Sequence, residues 1–206
     1  MRLAILGARG HGKVVADAAE CSGWKEIVFF DDVWPELTNN GPWAVRGDTA
    51  TLMANLSEFD GVVVGIGSNA IRAAKQARLI AAGAIIVSVF HPAATVSMHS
   101  QVGLGSVILA NAAVNASASV GAGVIVNTGA VIEHDCIIGD FSHISPNAAL
   151  AGGVILKKKV WVGACASVRQ LLEIGEAVVI GMGSVVTKNV PAGSIVAGNP
   201  AKTLKS

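Results

Sequence analysis

The chain has 206 residues, room for one or two domains. A formal charge of +1 with only 14% charged residues lacks the Lys/Arg cluster that a nucleic-acid surface requires. Apolar stretches such as Ala81–Val87 fall far short of the roughly 18 residues needed to span a bilayer, so neither nucleic acid nor a membrane span is expected.

Arg2–Leu6 reads as a buried strand, entered directly from Met1 without a charged leader or cleavage site, and a cytosolic protein is expected. Gly7-Ala8-Arg9-Gly10-His11-Gly12-Lys13 follows, then a helix-compatible run, Val14–Cys21, closed by Gly23. Glu26–Phe30 is a second strand ending in Asp31-Asp32. Such a βαβ unit sets free backbone N–H groups and a helix dipole at the glycine turn, which favours phosphate. Acidic residues at the end of the second strand stand where ribose hydroxyls are held. Gly10, His11, Gly12, Asp31 and Asp32 are therefore candidate contacts. The spacing is Gly-x-x-Gly-x-Gly, and Arg9 occupies the place where a dinucleotide fold needs glycine. A nucleoside-diphosphate ligand is expected rather than NAD; the alternative is a turn that only packs helix on strand.

Val33–Asp48, with Trp34, Pro35, Gly41, Pro42 and Trp43, reads as a loop over the same strand ends. A third strand spans Gly61–Ile66 and ends in Gly67-Ser68-Asn69. The helix Ala70–Ala82 comes next, then a fourth strand, Ala84–Val89. A tight boundary near residue 90 is expected, giving residues 1–90 as a small Rossmann-like domain and 91–206 as a second domain.

The second domain is periodic. From Val96 to Val186 every sixth residue is aliphatic, sixteen times without a slip. Four residues after each anchor stands something small or aliphatic, such as Ala112, Ala130, Cys136 and Ala148. Helices repeat every 3.6 residues and ordinary strands every second residue; a six-residue period marks a parallel β-helix. Three hexads make one triangular coil, so residues 18 apart stack, with the anchors inside and the small residues at the tight corners. About five coils are expected. Recurring glycines (Gly103, Gly121, Gly139, Gly163, Gly181) argue against helix, where each would cost about 1 kcal/mol. Of the three cysteines, Cys136 falls on an interior position and reads as a packed thiol.

The glycine turn, Phe29-Phe30-Asp31-Asp32, Gly67-Ser68-Asn69-Ala70-Ile71-Arg72, Asn127 to Cys136, Gly139 to Ile144 and Gly198-Asn199-Pro200-Ala201-Lys202 together carry a resemblance. Over essentially its whole length the chain resembles the bacterial sugar-nucleotide acetyltransferases of the bacillosamine and sialic-acid type. The resemblance implies a mainly β fold, an α/β domain followed by a left-handed β-helix, assembled as a homotrimer with sites between neighbouring β-helices. It implies transfer of acetyl from acetyl-CoA, without a metal, to the amino group of a nucleotide-linked sugar of the UDP-4-amino-4,6-dideoxy type. O-acetylation of sialic acid or a related sugar is the alternative, and a non-catalytic nucleotide-sugar-binding trimer a more remote one. Two departures stand out: His134-Asp135 where the bacillosamine-type enzymes often carry His-Glu, and Arg9 where Ser is common.

By the same resemblance His134 is the general base and Asp135 fixes its tautomer, an arrangement that suits a group with a pKa near 6.5. Gly152, one coil beyond His134, is expected to leave room for the thioester and to offer its N–H to the oxyanion. His143 corresponds to a residue near the acetyl group, Asn127 and Asn69 to residues toward the nucleotide sugar, and Lys202 to the CoA end. A zinc-dependent carbonic anhydrase, another trimeric β-helix, is disfavoured because the coils hold only His99, His134 and His143, with no close pair.

Overall fold

The computed structural model describes residues 1–204. The chain divides into two compact units, Met1–Pro92 and the remainder from Ala93. Among the described residues no helix is long and apolar enough to cross a membrane.

In the first unit β1 (Arg2–Leu6) lies between β2 (Glu26–Phe30) and a later strand, Gly61–Val64, in a three-stranded parallel sheet. These strands are apolar throughout because both faces of a parallel sheet are covered. Ala4, Leu6, Val28, Phe30, Val62 and Val64 form one core with Leu52, Phe59, Leu79 and Ile86. The first helix, α1, is Gly10–Cys21 and begins four residues earlier than the sequence suggests. Its glycines are already helical, with the Lys13 N–H donating to the Arg9 carbonyl at 3.0 Å.

Other expectations need correction. The stretch 33–48 is not a plain loop: β3 (Asn39–Asn40) and β4 (Trp43–Ala44) form a short hairpin. A helix too short to show periodicity, α2 (Thr49–Ala54), follows, with Asp48 capping it through the Thr51 N–H at 2.8 Å. The strand after it, β5 (Gly61–Val64), stops before the expected Ile66. Beyond it, Arg72 of α3 (Asn69–Ala81) takes the Ile66 and Gly67 carbonyls through its guanidinium at 3.0 Å each. Of the expected fourth strand, Ala84–Val89, one bridge joins this sheet, Ile86 opposite Val62, and Val89 opens a separate two-residue strand with Phe90.

The second unit is a parallel β-solenoid of about six turns, one turn longer than expected. Its two-residue strands stack in parallel at a spacing of 18, as in Ala113–Val131–Ala149–Ser167 on one face and Ile125–His143–Trp161–Val179 on another. Beyond Val186 the coil continues through Val190, bridged to Ile174, and Ile195–Gly198, which pairs with Val179–Ile180 and folds back on Ala201–Thr203. Anchors and small residues form one continuous buried ladder from Ile108 to Val196. Cys136 belongs to it, its Sγ donating to the Ala151 carbonyl while burial pushes the thiol pKa up.

The corners lie one residue earlier than the sequence suggests. Every sixth residue from Gly105 to Gly183 has positive φ, the left-handed conformation that closes each bend. The small residues just after it point into the core and do not form the bend. Asp135, at φ 60°, is one of these bend residues, and Asp and Asn tolerate that region better than most.

Candidate active site

Two clusters of candidate residues lie in the solenoid, at different corners of the coil. In the bend after Val131–Ile132, His134 Nδ1 stands 2.7 Å from Asp135 Oδ2, with both side chains about two-thirds exposed. The carboxylate can only accept, so Nδ1 carries the proton and the Nε2 lone pair is left to act as a base. The hydrogen bond to Asp135 raises the imidazole pKa, against a smaller lowering by desolvation. The left-handed bend at Asp135 is what turns its carboxylate back toward the preceding ring.

Gly152 lies beneath that ring. A methyl group there would stand 2.5 Å from His134 Cε1 and Nε2. The expectation that Gly152 leaves space for a thioester is thus revised, since the imidazole itself fills the space. The Gly153 N–H donates to the His134 carbonyl at 2.9 Å and holds the two coils in step.

The second cluster follows the strand Ile125–Val126, on another face. Asn127 Nδ2 lies 3.1 Å from His143 Nε2. The Asn127 carbonyl is engaged by the Thr128 N–H at 2.9 Å, so its NH2 group must face the histidine and Nε2 must be the acceptor. His143 is buried and stacks on Trp161, rings 5.8 Å apart and 7° from parallel, while the indole N–H donates to Ser145 at 2.9 Å. Trp161 also lines a groove of about 260 Å³ with Pro146, Ala164 and Met182. Lys202, exposed on the terminal hairpin, borders a separate cavity of about 340 Å³ with Lys188 and Asn189. Asn127 and His143 are brought together, as are His134 and Asp135. Within the chain the two pairs occupy different corners.

In the first unit a cleft of about 340 Å³ opens at the strand ends, lined by Gly7, Arg9, His11, Asp31, Asp32, Gly67 and Lys75 among others. The start of α1 and two cations suit a diphosphate. Desolvation, with a smaller push from the Arg72 charge, lowers the His11 pKa to about 4, so the ring is neutral at ordinary pH. Gly10, Gly12 and Asn69 do not line this cleft. Gly12 is there for packing: a Cβ would stand 2.0 Å from the Gly7 carbonyl oxygen. Asn69 accepts from the Arg72 guanidinium at 2.9 Å. Asp31 accepts from the Ala8 and Val33 N–H groups at 2.7 and 3.1 Å and so shapes the turn.

Sequence reading missed Lys75, Thr49 and Trp161. Lys75 had a signal: it shares a helical face with Arg72, Gln76 and Leu79, all buried. Trp161 stands 18 residues after His143, the stacking interval itself. Among the described residues no group of three or more His, Cys, Asp or Glu is placed to hold a metal.

The PglD N-terminal domain family matches residues 2–79. The GDP-perosamine N-acetyltransferase of Escherichia coli O157:H7 is 30% identical over 213 residues, covering 98% of this chain and 95% of that protein. The acetyltransferase domain of PglB from Neisseria gonorrhoeae FA1090, in complex with acetyl coenzyme A, superposes with a TM-score of 0.95 at 40% identity, covering 98% of each chain. A histidine-to-asparagine variant of the perosamine N-acetyltransferase from Caulobacter crescentus, in complex with CoA and GDP-perosamine, gives a TM-score of 0.95 at 30% identity, over 99% of this chain and 97% of that one. With relatives matched across nearly its entire length and a hexapeptide solenoid bearing a His–Asp pair at one bend, the chain belongs to the hexapeptide-repeat family of sugar-nucleotide acetyltransferases.

Proposed function

We propose that the chain is an N-acetyltransferase that moves acetyl from acetyl-CoA to the amino group of a nucleotide-linked amino sugar in the cytosol. His134 is the general base and Asp135 its orienting partner. The observation that carries the reading is the 2.7 Å contact between His134 Nδ1 and Asp135, which leaves Nε2 as a proton acceptor on an accessible bend. As the amine nitrogen attacks the thioester carbonyl, Nε2 removes its proton, the tetrahedral oxyanion forms, and collapse expels the CoA thiolate. The thiolate then takes that proton from the His134 imidazolium, which restores the base, and amide and CoA leave. The Gly152 N–H is the candidate donor to the oxyanion. His143, its Nε2 already accepting from Asn127, positions rather than deprotonates.

Acceptor binding is assigned to the cleft of His11, Asp31 and Asp32, with the diphosphate toward Arg9 and the start of α1. Lys202 is the candidate for the distal phosphate of CoA. A homotrimer accounts for the split between the two solenoid clusters, since neighbouring copies bring different corners of the coil together. The half-buried outward face of Ala113, Val131, Ala149 and Val185 is the candidate contact surface. Light scattering is expected to give three times the 20.8 kDa chain mass; a stable monomer at micromolar concentration would remove the shared site.

Within this class a UDP-linked 4-amino-4,6-dideoxy sugar is the proposed acceptor. The GDP-perosamine relatives favour a GDP-linked sugar as the second reading. Steady-state rates on UDP- and GDP-linked amino sugars and on sialic acid separate the possibilities. One nucleotide-linked amine is expected to exceed the others in kcat/KM, and a preference for sialic acid hydroxyls would reject N-transfer.

Gly152→Ala gives a further check. It retains the N–H but sets a methyl group against the imidazole, so kcat is expected to fall at least about tenfold, roughly 1.4 kcal/mol. An unchanged kcat would mean that the ring does not act from its seat over Gly152.

A further inference from the structure

Asp32 and Lys75 meet on the wall of the cleft. Lys75 Nζ bonds Asp32 Oδ2 and, at 2.8 Å, Thr49 Oγ1. Thr49 gives its hydroxyl and its backbone N–H to Asp32 Oδ1, at 2.6 and 3.0 Å. The triangle ties the end of β2 to the first residue of α2 and the middle of α3. A carboxylate oxygen has two acceptor sites and an ammonium three donors. Oδ1 is therefore filled, Oδ2 keeps one acceptor site, and Lys75 keeps one N–H. A single acceptor and a single donor are left side by side. Asp31 also keeps an acceptor site on each oxygen, but among the described residues no side-chain cation bonds it, so it sets no donor beside that acceptor.

We infer that Asp32 and Lys75 together read the nucleobase of the acceptor, selecting bases that present an N–H beside a carbonyl: uracil, thymine or guanine. The inference rests on the nucleotide-sugar reading and deepens it. The N–H of such an edge donates to Asp32 Oδ2 while the adjacent carbonyl accepts from Lys75. Cytosine and adenine present the reverse edge, a ring nitrogen lone pair beside an NH2 group. Held in the same pose against this pair, the lone pair would face the carboxylate and the NH2 group the ammonium, leaving both protein groups unpaired on desolvation. Burial pushes the Asp32 carboxyl up, but the hydrogen bonds from Lys75 and Thr49 outweigh it and hold the pKa at about 2, so the acceptor is ionised at ordinary pH.

Isothermal titration of the intact protein with UDP, GDP, CDP and ADP tests this, because the diphosphate is common to all four. The better of UDP and GDP is expected to bind at least about tenfold tighter than CDP and ADP. N3-methyl-UDP, which keeps both carbonyls and lacks only the N–H, should lose a similar factor on the unaltered protein. Lys75→Met should bring the UDP-to-CDP ratio, or the GDP-to-ADP ratio, to within about threefold of one. A merely structural Lys75 would weaken every nucleotide alike and preserve the ratio. Ratios near one in the unaltered protein, or N3-methyl-UDP binding as well as UDP, would overturn the base reading and leave the acceptor cleft standing. No binding by any of the four would overturn the cleft assignment itself, and this inference with it.

Discussion

His134→Ala is expected to lower kcat by about 10²- to 10⁴-fold, the usual contribution of a positioned base. Both substrates should still bind, because the change removes a transition-state interaction and touches neither the solenoid core nor the glycine turn. His134→Asn should be nearly as impaired, since an amide cannot take a proton at neutral pH. In the native enzyme kcat/KM should fall as pH drops through the His134 pKa, because the protonated ring is no longer a base. The hydrogen bond to Asp135 raises that pKa above the ordinary histidine value, so Asp135→Asn should move the acidic limb to lower pH. Both His134 variants should lose that limb. Retention of more than about a tenth of native kcat by His134→Ala, a loss under about 1.4 kcal/mol, would remove it from the role of base.

Gly12→Ala is the second large effect expected, and it acts on the other unit. The added methyl group would stand 2.0 Å from the Gly7 carbonyl oxygen and 3.1 Å from the Phe29 ring. Backbone stands on one side and a buried ring on the other, so α1 must shift away from β1. Overpacking of this kind costs about 1–3 kcal/mol. Calorimetry should show the unfolding of the first unit at lower temperature, with the solenoid transition nearly unchanged. Nucleoside-diphosphate affinity should fall while acetyl-CoA affinity is kept. Native nucleotide affinity in Gly12→Ala would show that the turn tolerates the shift.

The solenoid was legible because its period is set by geometry alone: each anchor from Val96 to Val186 must face the same interior. The position of the bend was less legible. The chain tolerates residues as different as Phe141, Lys159 and Leu171 at positive φ, so no residue type marks it. The first unit showed its strands by apolar runs, but β5 stops two residues short of Ile66, whose carbonyl goes to the Arg72 side chain, a contact that an apolar pattern does not carry. α2 has too few residues for a helical period to emerge.

The candidate site divides in the same way. His134 and Asp135 are adjacent in sequence, and their contact follows from one bend. Asn127 and His143 are 16 residues apart and meet because the coil returns after 18. Gly152 follows from the same stacking interval, whereas the His134 ring seated over it depends on how that side chain packs. Asp32 and Lys75 come from different elements, 43 residues apart, and only tertiary packing joins them.

Incubation with acetyl-CoA and a nucleotide-linked amino sugar, following free thiol and product mass together, tests the proposed activity most directly. CoA release should require the amino sugar and match, mole for mole, a product heavier by one acetyl group on nitrogen. Thiol release that does not depend on the amino sugar, or none with either UDP- or GDP-linked amines, would contradict it.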